Sequence, residues 1–82
     1  MLSQGLKHDI IEIEANFTNG NSDLALKIVL ENIHQLELKS NQNTLLCCKH
    51  YNIAGEIYHH YSDIEEAHKY WEKSCRLIKI KS

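Results

Sequence analysis

Histidine and cysteine are the residues of this chain that have the types needed for chemistry. The 82 residues include six histidines and three cysteines, and zinc takes four such nitrogen or sulfur donors in tetrahedral geometry. The candidate ligands are Cys47, His50, His59, His60, His68 and Cys75. Cys47 and His50 lie about one helical turn apart, but no second pair of that kind follows, and neighbours such as His59 and His60 point about 100° apart on a helix. We therefore expect no metal and no cofactor, and a small His/Cys metal-binding protein is kept as the alternative function.

Covalent catalysis would need a nucleophile beside a base. Cys75 and His68 are the natural pair, seven residues apart (75 − 68) on one predicted helix. No pattern supplies an oxyanion hole, and no glycine-rich phosphate loop is present. The sequence therefore predicts a protein that is not an enzyme, in which His50 and His68 pack at a seam between helices with one ring nitrogen hydrogen-bonded.

Four helices must position these residues. The chain has no proline and three glycines, and its Leu, Ile, Glu and Lys favour helix. Apolar residues recur at three- and four-residue steps in four segments, at about 2–18, 22–38, 43–61 and 63–80. Thr18–Asn21 and the polar run 39–43 separate the first three segments. The predicted fold is a single all-α domain of four antiparallel helices, with one hairpin at about 2–38 and a second at about 43–81.

Two helices have informative patterns. The second is apolar nearly all round, so we expect it at the centre of the bundle. Before the fourth, Ser62 and Glu65 fit a capping box. The predicted inner stripe of the fourth helix consists of Ile64, Ala67, His68, Trp71, Cys75 and Ile78.

Small and aromatic residues in the second hairpin have a distinctive spacing. They are Tyr51, Ala54, Gly55, Tyr58, Ala67, Trp71 and Ser74. In this pattern, residues 44–81 resemble a tetratricopeptide repeat (TPR) hairpin, in which small side chains let two helices approach closely and the aromatic rings fill the space beside the contact. The first hairpin resembles the family more loosely, because Ala25 and Ala67 are 42 residues apart (67 − 25) and the TPR period is about 34.

The resemblance implies a protein- or peptide-binding adaptor or regulator. In that family the first helix of each hairpin lines a concave groove, which here would present Lys49, Asn52, Glu56, His59 and His60. An ammonium and an amide can both hold a peptide carboxylate, although Glu56 would repel one. The other interpretation is an ordinary solvated helix face.

The fourth helix has no polar capping helix after it, unlike the last helix of larger arrays. Tyr70, Leu77 and Ile80 project from a different face than the predicted inner stripe. Exposed apolar patches mark interfaces, so this uncapped face predicts a homo-oligomer or a docked partner helix. The other interpretation is that the chain ends fold over it.

Charge and hydropathy limit the partners. The formal net charge is −2, whereas a general nucleic-acid surface needs a basic excess. The sequence has no secretory signal pattern and no apolar run of about 20 residues that would span a bilayer. We therefore expect a cytoplasmic protein whose partner is a protein or peptide, with no role for nucleic acid or membrane.

Overall fold

The fold is all-α, as predicted. A computed structural model describes residues 8–38 and 44–81, without the side chains of residues 79–81. Within these ranges it contains four helices and no strand: α1 (Ile10–Thr18), α2 (Ser22–Glu37), α3 (Thr44–His60) and α4 (Ile64–Lys81). The predicted connection at 39–43 and the start of the predicted first helix, including Leu6, lie outside the described residues.

Aspartate caps determine where two helices begin. Asp9 is extended, and its side chain accepts a 2.9 Å hydrogen bond from the Glu12 amide, so α1 begins at Ile10 and not near residue 2. The cap of α4 is Asp63, whose carboxylate accepts from the Glu66 amide at 3.3 Å. The predicted Ser62–Glu65 box is therefore wrong by one residue: Asp63 and Glu66 occupy the two key positions.

The same turn closes both hairpins. After α1, the Asn21 amide donates to the Asn16 carbonyl and the Gly20 amide to the Phe17 carbonyl. After α3, Asp63 donates to Tyr58 and Ser62 to His59 in the same pattern. This pair of bonds defines a Schellman turn, which needs a left-handed residue after the helix. Gly20 (φ 88°) and Ser62 (φ 64°) fill that position, 42 residues apart (62 − 20).

Helix α3, and not α2, is the central element of the described structure. It packs against α1, α2 and α4, whereas α2 packs mainly against α1 and α3. The prediction that α2 lies at the centre of the bundle is therefore wrong, and two leucines of its predicted range, Leu24 and Leu38, are exposed. One face of α2 is buried, and two of its residues, Ser22 and Asn32, are polar. The buried residues are Ser22, Ala25, Ile28, Val29, Asn32, Ile33 and Leu36.

Helix α4 is rotated relative to the prediction. Its inward face carries Ala67, Tyr70, Ser74 and Leu77, and Trp71 lies at the edge of that face. Of the predicted inner stripe only Ala67 is buried; Ile64, His68, Cys75 and Ile78 are exposed. Helix α4 has this rotation because the small side chains of Ala67 and Ser74 let it pack closely against α3.

Candidate functional site: a groove between α1 and α3

A concave groove of about 470 Å³ lies between the first helices of the two hairpins. Helix α1 contributes Ile10, Ile11 and Glu14, and α3 contributes Lys49, Asn52 and Ile53. Ile11 is 71% exposed, more than any other large apolar side chain among the described residues. The groove therefore combines apolar walls with one cation, one anion and one amide.

A buried polar network holds α1 beside α3 at one end of the groove. Asn32 on α2 donates one amide hydrogen to the His8 carbonyl at 2.8 Å and contacts His50 Nε2 at 3.1 Å. His50 Nδ1 lies 2.8 Å from the Leu46 carbonyl. Since a carbonyl only accepts, Nδ1 carries the proton and Nε2 accepts from Asn32. These contacts connect the residue that precedes the α1 cap to α2 and α3.

The network requires a neutral His50. Its side chain is fully buried, and burial lowers its pKa below the usual histidine range, an effect that the hydrogen bond to Leu46 partly opposes. A proton on Nε2 would face the Asn32 amide group, which is also a donor. His50 therefore sits at the junction of three helices with both ring nitrogens bonded, and not at the α3–α4 seam that the sequence suggested. His68, the other predicted seam histidine, is exposed.

The predicted groove residues divide into two sets. Lys49 and Asn52 line the groove. Glu56, His59 and His60 are exposed on α3, but the two histidines contact other rings. The His59 ring lies 5.9 Å from that of Trp71, and His60 packs edge-on at 5.6 Å against Phe17 of α1. His60 thus supports the α1–α3 contact, and His59 belongs to the α4 side of α3.

Gly55 and Trp71 determine how closely α3 and α4 approach. A methyl group at Gly55 would lie 2.3 Å from Trp71 Nε1 and 2.6 Å from its Cδ1, which is inside any tolerated contact. Ala54 and Ala67 are fully buried in the same region. Gly55 and Trp71 of the predicted motif therefore meet at this contact. The ring of Tyr58, another residue of the motif, stacks on that of Tyr70 with 5.7 Å between the ring centres.

Two of the three residues of the predicted uncapped face have described side chains. Tyr70 and Leu77 are partly buried against the core, and the Ile80 side chain lies outside the described residues. Lys73 of α4 contacts both α2 and α3: its Nζ lies 3.5 Å from a Glu37 carboxylate oxygen and 5.6 Å from the centre of the Tyr51 ring. The same Glu37 oxygen accepts from the Tyr51 hydroxyl at 2.7 Å. Burial, and then this bond, raise the pKa of Tyr51, so it remains a donor.

The histidines and cysteines do not converge. Within residues 8–38 and 44–81, no three His, Cys, Asp or Glu side chains come together as metal ligands. Burial raises the pKa of the Cys47 thiol, with smaller contributions from Cys48 and Glu37, which disfavours the thiolate that binds metal. Cys75 and His68 are both exposed on α4.

Sequence reasoning missed Asn32 and the α1 side of the groove. A polar Asn32 within an apolar helix is a local signal of a buried hydrogen bond. Its two partners, His8 and His50, are 24 and 18 residues away in sequence, so the signal does not identify them. Ile11 and Glu14 lie off the apolar stripe of α1, so only the packing of α1 beside α3 reveals their common groove.

No protein-family model, curated protein or solved structure matches the chain. In the part of the chain that the structure describes, no helix has the length and apolarity to cross a bilayer.

Proposed function

We propose that the protein is a non-enzymatic adaptor or regulator that binds a peptide segment of a partner protein in the groove between α1 and α3. The groove itself is the observation that carries this proposal, because it places apolar walls beside Lys49, Asn52 and Glu14. Ligand sites of this kind are concave and mostly apolar, with a few polar groups that set orientation.

The polar groups in the groove suit a peptide. The Asn52 amide offers both a donor and an acceptor, which matches the backbone of an extended chain. Lys49 and Glu14 provide one charge of each sign. The preferred segment therefore combines apolar side chains, which bury Ile11, with an acidic group for Lys49 and a basic group for Glu14.

The helix arrangement supports a TPR-like module. Two hairpins close with the same turn, and the first helix of the second hairpin packs against both helices of the first. Stacked hairpins bring their first helices together along one surface, which is where the groove lies. Cys48 and Cys75 form no disulfide, and reduced thiols suit a cytoplasmic protein.

Peptide display tests the proposal. A random library selected on the wild-type protein should yield a consensus of apolar and charged positions, and synthetic consensus peptides should bind with measurable heat in calorimetry. Lys49→Glu should weaken binding about tenfold or more, because it replaces a charge-assisted contact with repulsion.

The matched control is Lys27→Glu, the same charge change on an exposed position of α2, away from the groove. It should leave peptide affinity unchanged. The proposal fails if the library yields no consensus, or if Lys27→Glu and Lys49→Glu weaken binding equally.

A further inference from the structure

Helix α4 carries two apolar stripes side by side, and the fold buries only one of them. The buried stripe packs on α3 through Ala67, Tyr70, Ser74 and Leu77. The outer stripe alternates steps of four and three residues: Ile64, His68, Trp71, Cys75 and Ile78. This is the heptad spacing of a coiled-coil seam, and both of its end residues are well exposed, Ile64 at 46% and Ile78 at 56%.

The centre of the outer stripe is rigid. The Trp71 ring is partly exposed, lies against Gly55 and has the rings of His59 and His68 within 6 Å, at 5.9 and 5.8 Å. A tryptophan held in this way loses little conformational freedom on binding, and such residues dominate interface energetics. The stripe is therefore organised as a contact surface for another helix.

Charge along α4 identifies the occupant. Residues 63–72 contain four acidic residues and one lysine, a charge of −3 (1 − 4), and residues 73–82 contain four basic residues and none acidic, a charge of +4. An antiparallel copy of α4 would place each acidic half opposite a basic half. The helix dipoles would also align favourably, whereas a parallel copy would oppose like charges.

We infer that the outer stripe of α4 is a self-association surface that pairs with the α4 of a second copy in antiparallel orientation. The seam is short, since 18 residues extend about 27 Å at 1.5 Å per residue. An interface of one helix pair falls in the small, transient class, so the dimer dissociates in the micromolar range. The surface shares no residue with the α1–α3 groove, and the inference stands apart from peptide binding.

A charge-swap experiment tests both the surface and the orientation. Glu65→Lys places a cation in the acidic half, and Arg76→Glu places an anion in the basic half; both residues are exposed. Each variant alone should dimerise at least about tenfold more weakly than wild type, because each antiparallel copy then opposes like charges twice. A 1:1 mixture should recover a heterodimer near wild-type affinity, because every opposed pair is again of opposite sign.

The measurement is sedimentation velocity from about 5 to 500 µM, a range that spans micromolar dissociation constants, with circular dichroism to verify the fold of each variant. Ile78→Ser should weaken the dimer by about tenfold or more. Leu45→Ser, at a 66% exposed apolar position on α3, should not. A wild-type chain that remains monomeric over the whole range overturns the inference, as does a mixture that stays monomeric or an Ile78→Ser variant that dimerises as well as Leu45→Ser.

Discussion

Replacing Gly55 by alanine tests the α3–α4 contact directly. At a solvent-exposed position inside a helix, replacing glycine by alanine stabilises the folded protein by about 1 kcal/mol, because alanine has the higher helix propensity. Here the new methyl group would lie 2.3 Å from Trp71 Nε1, so the indole or the helix must move. Overpacking of this kind costs about 1–3 kcal/mol. We expect Gly55→Ala to destabilise the protein by up to about 2 kcal/mol after the propensity gain is subtracted.

A second substitution should reverse the sign of this effect. Trp71→Ala removes the ring and costs about 2–3 kcal/mol, below the usual value for a fully buried tryptophan because the ring is partly exposed. In that background the Gly55 methyl group meets no indole, and only the propensity term remains. Gly55→Ala should then stabilise the protein by about 1 kcal/mol, which gives a coupling of about 1–3 kcal/mol between the two positions.

Urea unfolding followed by circular dichroism measures the free energy of unfolding of the wild type, Gly55→Ala, Trp71→Ala and the double variant. Trp71 is the sole tryptophan, so its fluorescence also reports the movement of the ring in Gly55→Ala. Gly20→Ala is the control. Gly20 has φ 88°, and nothing lies within 4 Å of an added methyl group. The substitution should therefore lower the free energy of unfolding by about 1 kcal/mol through backbone strain alone. That loss should be the same with and without Trp71. If Gly55→Ala stabilised the protein by about 1 kcal/mol in the wild-type background as well as in the Trp71→Ala background, the packing of Trp71 on Gly55 would be refuted.

For two further substitutions and for a change of pH, the structure predicts whether the free energy of unfolding rises or falls. Ser62→Gly should raise the free energy of unfolding by about 1 kcal/mol, measured by urea unfolding, because Ser62 has a left-handed backbone that glycine adopts without strain. The pKa of His50 is lowered in the folded state, so the unfolded chain binds the proton more readily; stability should fall as pH drops below about 6.5, by at most about 1.4 kcal/mol per pH unit. NMR titration of the His50 ring should show the neutral form persisting below that pH, and a ring that titrates normally would contradict the network. Tyr51→Phe should cost about 1 kcal/mol, because it removes a bond to a charged acceptor, Glu37, that is itself part-exposed, and Phe in place of Tyr leaves the ring packing intact as its own control.

The close contact of α3 and α4 could be predicted because its signal is local. Gly55 and Ala67 lack bulk where helices must approach, and Trp71 supplies the ring beside them. Residue types at helical spacing were enough to bring these three together, since a short turn joins the two helices. The structure places the Trp71 ring against Gly55 and buries Ala67.

The rotation of α4 could not be predicted from hydrophobicity. Its two stripes lie side by side on the helix, and Trp71 lies at the edge between them. The stripe with isoleucines at its ends is the more apolar, yet the fold buries the one with Ala67 and Ser74. Contact distance decided the outcome, because small residues allow the backbones to approach, and a larger stripe would hold them apart.

The buried network was beyond sequence reasoning for a different reason. In the sequence, Asn32 is a polar residue within an apolar helix, and only the structure shows that His8 and His50 are its hydrogen-bond partners. One partner precedes α1 and the other lies on α3, and a polar group in a core is stable only when its hydrogen bonds are made. Long-range satisfaction of this kind has no signature at short sequence spacing.

The groove between α1 and α3 follows from the repetition of one hairpin. Gly20 and Ser62 close the two hairpins with the same pair of hydrogen bonds, although only one of them is the glycine that such a turn prefers. Two hairpins stacked in sequence bring their first helices to a common side, although α1 has 9 residues and α3 has 17. Ile11 on α1 and Lys49 on α3 then face one groove although neither helix forms it alone. The surface that we propose to bind peptides is thus a product of the repeat, and it requires both turns.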